Sequence, residues 1–381
     1  MSKATYDLIF TGLGMANLSL LYRGYQSGIF KGKRILAIDK ISERQNDKTW
    51  CFWAKDPGPF KEVIFRQWQD LHFFTHNHQH LPLQTEHYAY HMIRSIDFYH
   101  HCLFYLRNCA GLEIIEEEVL EIFPLGAVRT SHGYYEGEYV INSIFEKPEI
   151  NQEVWLWQHF KGWTIKVEEH SLKANEAYLM DFRTGQEEGT TFFYVLPFSR
   201  NEIFIEYTFF SPHILPNEKY DDGLTSYIKN VLGIESYEIL HTEFGAIPMT
   251  NFPFLRQRKR ILNIGSIGGD TRGSTGYTFM NTQKTIDRIL WNYKQNGYPF
   301  FNKEVIGPRA KLFDSTILKV LQRNQTYNGA AIFADLFAKI PAHQMFKFLD
   351  AETNLWEDLQ VMWAVQARHF MGPFVSAILG R

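Results

Sequence analysis

Cysteine is scarce in this chain. Cys51, Cys102 and Cys109 are the only three among 381 residues, too few and too odd in number for a disulfide framework, and none stands at metal-ligand spacing. With no signal peptide at the N-terminus, they point to a reducing cytoplasm. A long apolar run is missing too. No stretch of about 18 apolar residues occurs, so no transmembrane helix is expected, and contact with a membrane surface stays open. Charge is sparse, at 21% of residues with a net value of −3, which leaves no basic field for nucleic acid. Aromatic residues, by contrast, reach 16%, with 32 Phe and 20 Tyr. That excess suits an ordinary core or a large apolar ligand. The length allows a sizeable core and two or three domains.

The N-terminal stretch Tyr6 to Tyr25 organises the rest. An apolar run from Asp7 to Phe10 is followed by Gly12-x-Gly14-x-x-Asn17 and then by Leu18, Leu21 and Tyr25 at helical spacing. This reads as strand, glycine turn and helix, the opening of a dinucleotide-binding unit. Gly12 permits the turn, and Gly14 lets a pyrophosphate approach the amides at the helix start. Asn17 replaces the third glycine, a change expected to loosen the packing of helix on strand. Lys33 to Ile38 form a second strand ending in Asp39, an acid suited to a ribose and repellent to a 2′-phosphate.

Further along, Asn46 to Trp53 (NDKTWCFW) crowd aromatics into a polar loop, either as anchors or beside a cofactor. Phe65 to Leu83 look strand-like, with His76, His78 and His80 alternating on one face; no carboxylate or Cys completes a metal site there. Tyr90 to Leu106 read as a helix. Leu112 to Val128 read as hairpin strands, with Glu116 to Glu118 as an exposed acidic edge, and Tyr139 to Ile144 as a buried strand.

From Ile150 the pattern becomes that of an antiparallel sheet, with strands at Tyr178 to Phe182, Thr191 to Leu196 and Glu202 to Phe209. On the last of these Phe204, Glu206 and Thr208 share one face and Ile205, Tyr207 and Phe209 the other. A carboxyl among so many aromatics should have a raised pKa, which makes Glu206 a candidate general acid; a glutamate on a wetted sheet face is the alternative. A second glycine turn, Gly265 to Gly269 with Gly273 to Tyr277, precedes a helix from about Thr278. Two glycine turns at the two ends of a discontinuous domain favour FAD over NAD, the second helix start favouring an anionic reduced flavin. Ser266 stands where many FAD enzymes have Asp. The remainder is helical in pattern, with an apolar stretch at Phe333 to Ile340 that serves either as a cap or as a membrane-surface or substrate-entry element.

The order GLGMAN, NDKTWCFW, YLMDF, FIEYT, FGAIPMT, GSTGYTF resembles the lycopene β-cyclases of bacterial type, from about residue 6 to about residue 280. The resemblance implies an α/β flavoprotein: a Rossmann-like FAD domain of the glutathione-reductase or hydroxylase type, an inserted antiparallel-sheet substrate domain and a C-terminal helical region. The expected boundaries are 1–60, 84–148 and 255–300 for the first, 61–83 and 149–254 for the second, and 301–381 for the third. It implies cyclisation of the linear ends of lycopene and related carotenoids to β-rings, with reduced FAD in a non-redox role and electrons from NAD(P)H. It further implies a peripheral position on the cytoplasmic side of the cell membrane. The family's acidic motif falls on Phe204 to Thr208, making Glu206 the catalytic acid; Tyr207 replaces a second Glu, whose duty would pass to Asp181. Expected cofactor contacts are Gly12, Leu13, Gly14, Met15, Ala16, Asn17, Asp39, Lys40, Val119, Gly265, Ser266, Thr275, Gly276 and Tyr277. A flavin-dependent monooxygenase and a non-catalytic carotenoid-binding protein are the competing readings.

Overall fold

A computed structural model describes residues 5–379 apart from Ser42, Glu169 and 324–326. Its N-terminal layer is a mainly parallel sheet. Thr5–Thr11 pairs in parallel with Ile35–Asp39 on one side and with Tyr134–Asn142 on the other; Leu112–Glu116 and Ile261–Asn263 extend the two flanks. Leu8, Ile9, Phe10, Leu36, Ala37 and Ile38 are all buried, because helices or loops cover both faces and strand alternation is not needed. The helices Met15–Gln26 and Phe279–Asn296 pack on one face through Leu18, Leu21, Ile286 and Ile289. Of the expected hairpin strands only Val119–Ile122 and Ala127–Thr130 pair antiparallel; Leu112–Glu116 joins the parallel sheet instead.

The expected helix at Tyr90 begins later. Ala89–Arg94 is a strand, antiparallel to Thr49–Ala54 and to Arg66–Trp68, and the helix runs Ser95–Leu106. Ala89 to Ile93 are buried one after another, and an apolar run of that kind cannot be told from a helix by periodicity.

The second layer is a seven-stranded sheet. In order across it lie Glu238–Thr250, Trp155–Lys166, Glu202–Ser211, Thr190–Pro197, Glu176–Asp181, Asp70–Phe74 and His80–Leu83. One face packs on the helix Asn217–Asn230 through Phe193, Tyr207 and Tyr227. The other packs on the C-terminal helices through Phe182, Phe192 and Phe210. The histidine face expected at 76–80 does not form: His76 and His78 lie in a turn, His78 with a left-handed φ of 63°, while His80 on the returning strand meets His72 at 2.9 Å.

The apolar stretch at Phe333 to Ile340 is core. On the helix Gly329–Lys339 the side chains of Phe333, Leu336 and Phe337 are buried, Phe333 facing Phe182 and Phe337 stacking on Phe73. Apolar groups are exposed instead on the last two helices, Leu355–Ala364 and Ala367–Ile378, notably Trp356, Trp363, Met371 and Ile378. No described helix is long and apolar enough to cross a membrane.

Asn17 does not loosen the first turn. Its fully buried amide donates to the carbonyls of Thr11 at 3.0 Å, Gly12 at 2.7 Å and Ile141 at 3.3 Å, tying helix, turn and neighbouring strand together. Removing a donor that serves buried acceptors costs about 1–3 kcal/mol. Asn17→Ala should therefore lower stability by that amount in urea unfolding. Unchanged stability would mean that these carbonyls are satisfied without Asn17.

Candidate active site

Both glycine turns sit at the carboxyl edge of the parallel sheet, separated by the strand Tyr134–Asn142. They touch: a Cβ placed on Gly265 would lie 3.2 Å from that of Ala16. Gly265, at φ 68°, holds a backbone conformation that favours glycine. The helices that follow are Met15–Gln26 and Phe279–Asn296. Neither has a side-chain cap or an acidic residue in its first turn, so their free N–H groups remain available for an anion. Behind the second turn the buried carboxylate of Asp270 accepts from Gly265 N at 2.7 Å and pairs with Arg256 at 2.8 Å. It braces the loop from within, a role no sequence motif announced.

Both turns open on one cavity of about 430 Å³. Gly14, Met15, Ala16, Gly265, Ser266, Thr275, Gly276 and Tyr277 line it. A Cβ built on Gly14 meets nothing within 4 Å, so the space over that amide is clear. The other expected cofactor contacts lie outside this lining. Gly12 and Asn17 shape the turn from behind. Asp39 accepts from Leu13 N at 2.5 Å and from Arg44 at 3.1 Å, which fixes its carboxylate beside the first turn. Lys40 is exposed, and Val119 packs against the edge of the parallel sheet.

The cavity's floor is the seven-stranded sheet, and strand register decides what it carries. Gly162 pairs with Glu206 on one side and with Glu243 on the other, and Tyr194 pairs with Glu206 beyond. Residues directly opposite share a face, so Tyr194, Glu206, Gly162 and Glu243 form one row. The two carboxyl-bearing Cα atoms are roughly 10 Å apart across two strand spacings. A Cβ built on Gly162 would stand 2.4 Å from the ring of Phe204, and one on its neighbour Gly245 2.4 Å from the ring of Phe160, so a larger residue at either position would force the ring to move. Tyr90, Trp50 and Tyr277 add further aromatic surface.

Burial in this apolar space, helped by the nearby Glu243 carboxylate, raises the pKa of Glu206 from 4.5 to about 8; a hydrogen bond from Thr208 at 2.8 Å pulls the other way. Glu243 is raised to about 7 by burial, opposed by Thr49, whose amide and hydroxyl donate to its two oxygens at 2.8 and 2.5 Å. Sequence reasoning missed Glu243. The available signal was its place directly before Phe244 in FGAIPMT, with Thr49 inside NDKTWCFW. That second motif divides along its length: Thr49, Trp50 and Cys51 line the cavity, while Trp53 further along the strand is buried in the core, stacks on Phe346 and donates to Asp350 at 2.9 Å.

Asp181 is elsewhere. Its row runs through Phe193 and Tyr207 on the opposite face of the sheet. There it is fully buried, paired with Arg183 and accepting from Tyr227 at 2.5 Å. Tyr207 stacks on Phe193 on that same side, with ring centroids 4.2 Å apart. Neither reaches the cavity.

The lycopene cyclase protein family matches residues 7–375 of this sequence. The chain belongs to the lycopene cyclase family. A chloroplastic lycopene beta cyclase of Solanum lycopersicum is 33% identical over 135 residues, which is 32% of this chain and 26% of that protein. The curated relatives it matches are spanned over only 26% to 41% of their own length. Among solved structures, this lycopene cyclase family member is similar to a geranylgeranyl bacteriochlorophyll reductase-like protein of Thermoplasma acidophilum. The TM-score is 0.61 at 12% identity, covering all of both chains. A flavin-dependent brominase gives 0.52 at 11% identity over 99% of each. These likenesses establish the α/β architecture with its Rossmann-like layer.

Because Glu206 and Glu243 keep their protons in the folded state up to about pH 8 and 7, the unfolded chain, losing them near 4.5, binds fewer protons between those limits. Stability must therefore fall as pH rises through that window. In Glu206→Gln the drop in melting temperature between about pH 5 and about pH 9 should be smaller than in the wild type. In Glu243→Gln, with the neighbouring charge gone, the carboxyl band of Glu206 followed by infrared titration should ionise at lower pH. An equal drop, or an unmoved titration, would place Glu206 in ordinary solvent.

Proposed function

We propose that this protein cyclises the linear ends of lycopene to β-ionone rings, with Glu206 as general acid and FAD held at the two glycine turns. One observation carries the reading: a single aromatic-walled cavity joins both glycine turns to a carboxyl that keeps its proton at neutral pH. The uncapped helix starts and the clear space over Gly14 fit a pyrophosphate and a charged flavin. Residues 14 to 16 would hold the pyrophosphate, Asp39 a ribose, and Gly265, Ser266 and Thr275 to Tyr277 the flavin end. When bound and reduced, by NAD(P)H as the expected donor, FAD supplies negative charge against a developing cation.

The remaining steps belong to the chain's own groups. Glu206 delivers its proton to the terminal double bond of the polyene end, leaving a carbocation. The neighbouring double bond attacks that cation and closes the ring. One proton then leaves the ring, so atoms and charge balance and there is no net redox change. Glu243, the more readily ionised of the two carboxyls and fixed by Thr49, is placed to accept that proton. Burial raises both carboxyls, and the two donors of Thr49 draw Glu243 back toward ionisation, which suits this division of labour. The faces of Phe204, Phe160 and Tyr194 offer cation–π stabilisation, and the apolar walls keep water from capturing the cation.

A water-insoluble substrate must be drawn from lipid. We assign the lipid-facing side to the last two helices, where Trp356, Trp363, Met371, Val375 and Ile378 are exposed.

Expressed in a lycopene-accumulating bacterium, Glu206→Gln should lose at least ~10²-fold in cyclisation, the usual worth of a general acid, while keeping bound flavin. Gly14→Val, which fills the space over the first turn, should lose the flavin absorbance. Retention of more than about a tenth of wild-type cyclisation by Glu206→Gln would remove it from the acid's role. The lipid-facing assignment is checked separately. Trp363→Glu with Ile378→Glu should shift the protein from vesicle-bound to free in a sedimentation assay, and unchanged sedimentation would move the contact to another face.

A further inference from the structure

A second cavity, of about 180 Å³, lies among the five C-terminal helices. Its walls are hydrocarbon: Phe333, Leu336 and Phe370 reach into it from two of them. The polar side chains at its edge are already engaged. Ser274 donates to Asp314 at 2.6 Å, Asp314 is paired with Arg272 at 3.0 Å, and Thr316 donates to Leu312 O at 2.8 Å. Thr275, which accepts from Tyr277 N at 3.4 Å, is the remaining polar side chain of the lining, and a ligand carrying a charge would find no free counter-charge here and would be penalised for its lost hydration. What fits is a chain of carbon and hydrogen.

Two features give the cavity a direction. Thr275 lines both this cavity and the one that holds Glu206, so the two are neighbours across a single residue of the second glycine turn. Met362 and Met371 also line it while remaining 38% and 67% exposed. Those thioether side chains are flexible and form an adaptable apolar rim. The rim lies on the same helices that expose Trp363 and Ile378. Size points the same way: about 430 Å³ is near the small end for ligand sites. A cavity that must admit a flavin ring and one polyene end has no room for the rest of the polyene.

We propose that the helical cavity holds a segment of the hydrocarbon tail of the linear polyene, lying between Thr275 and the rim of Met362 and Met371, while the reacting end lies at Glu206 and the far end of a full-length chain extends beyond the rim. This rests on the cyclase reading above. The C-terminal helices thereby select for chain length and for the absence of oxygen substituents along the tail, while the central cavity selects the reacting end.

The test compares lycopene with a half-length polyene bearing one identical linear end, using reduced flavin-loaded protein in detergent. Leu336→Trp fills the cavity from within. Met362→Trp combined with Met371→Trp narrows the exposed rim, where folding is not at stake. Melting temperature is read for each variant. Both should lose at least ~10-fold in lycopene turnover while converting the half-length polyene within about twofold of wild type. Equal losses on the two substrates by the rim variant, or wild-type turnover of lycopene by both variants, would overturn the tail site. Wild-type protein that cyclises neither polyene would instead overturn the cyclase reading, and the tail site with it.

Discussion

The burial of two carboxyl groups on either side of one glycine is the constraint to which the rest of the molecule answers. Glu206 and Glu243 could not share a row of a sheet in an apolar cavity as two full charges without a severe loss of hydration. The structure resolves this asymmetrically. Glu206 has a single donor, Thr208, and keeps its proton. Glu243 has two donors from Thr49 and gives its proton up more readily. Gly162 between them bears no side chain of its own, and the Phe204 ring lies over it. Any larger residue there would displace that ring and disturb the wall beside Glu206.

That row is useful only because a different layer meets it from above. The parallel sheet delivers two uncapped helix starts to its carboxyl edge, and the contact of Gly265 with Ala16 merges the two turns into one opening. Positive helix ends on one side and a proton-holding acid on the other define a cavity with opposite electrostatic demands at its two ends. Aromatic rings fill the space between, a lining that would suit the proposed hydrocarbon cation better than dipoles that would also hold water. The C-terminal helices close the seven-stranded sheet on its cavity side and bury the aromatic stripe of Gly329–Lys339, leaving their outer surface apolar.

Parts of this were legible in the chain. The glycine turns are local: each needs a missing Cβ or a left-handed φ within a few residues, and each is visible as such. So is the separation of Glu206 from Tyr207, since neighbours on a strand point to opposite faces. Misreadings occurred where a pattern is compatible with two structures. Ala89 to Ile93 are buried on all sides, and a run of that kind looks the same in strand and helix. His76 and His78 have strand spacing, but the chain turns between Thr75 and Gln79. The apolar residues of 333–340 could equally face lipid or core; the sheet they lie against came from other parts of the chain.

Near neighbours in the chain carry the strand–glycine turn–helix opening, the second glycine turn and the facing of Glu206 on its strand, because each follows from local interactions. Only the tertiary structure decided that Glu243 is the partner of Glu206 and that Asp181 is not. Glu206 and Glu243 meet through Gly162, a residue distant from both in the chain, and the row of Asp181 falls on the far face of the same sheet. Strand register between distant segments is set by the packing of both sheet faces at once, and a shift of one residue would exchange those faces. No local pattern carries that information, so the composition of the cavity could be known only once the sheet was assembled.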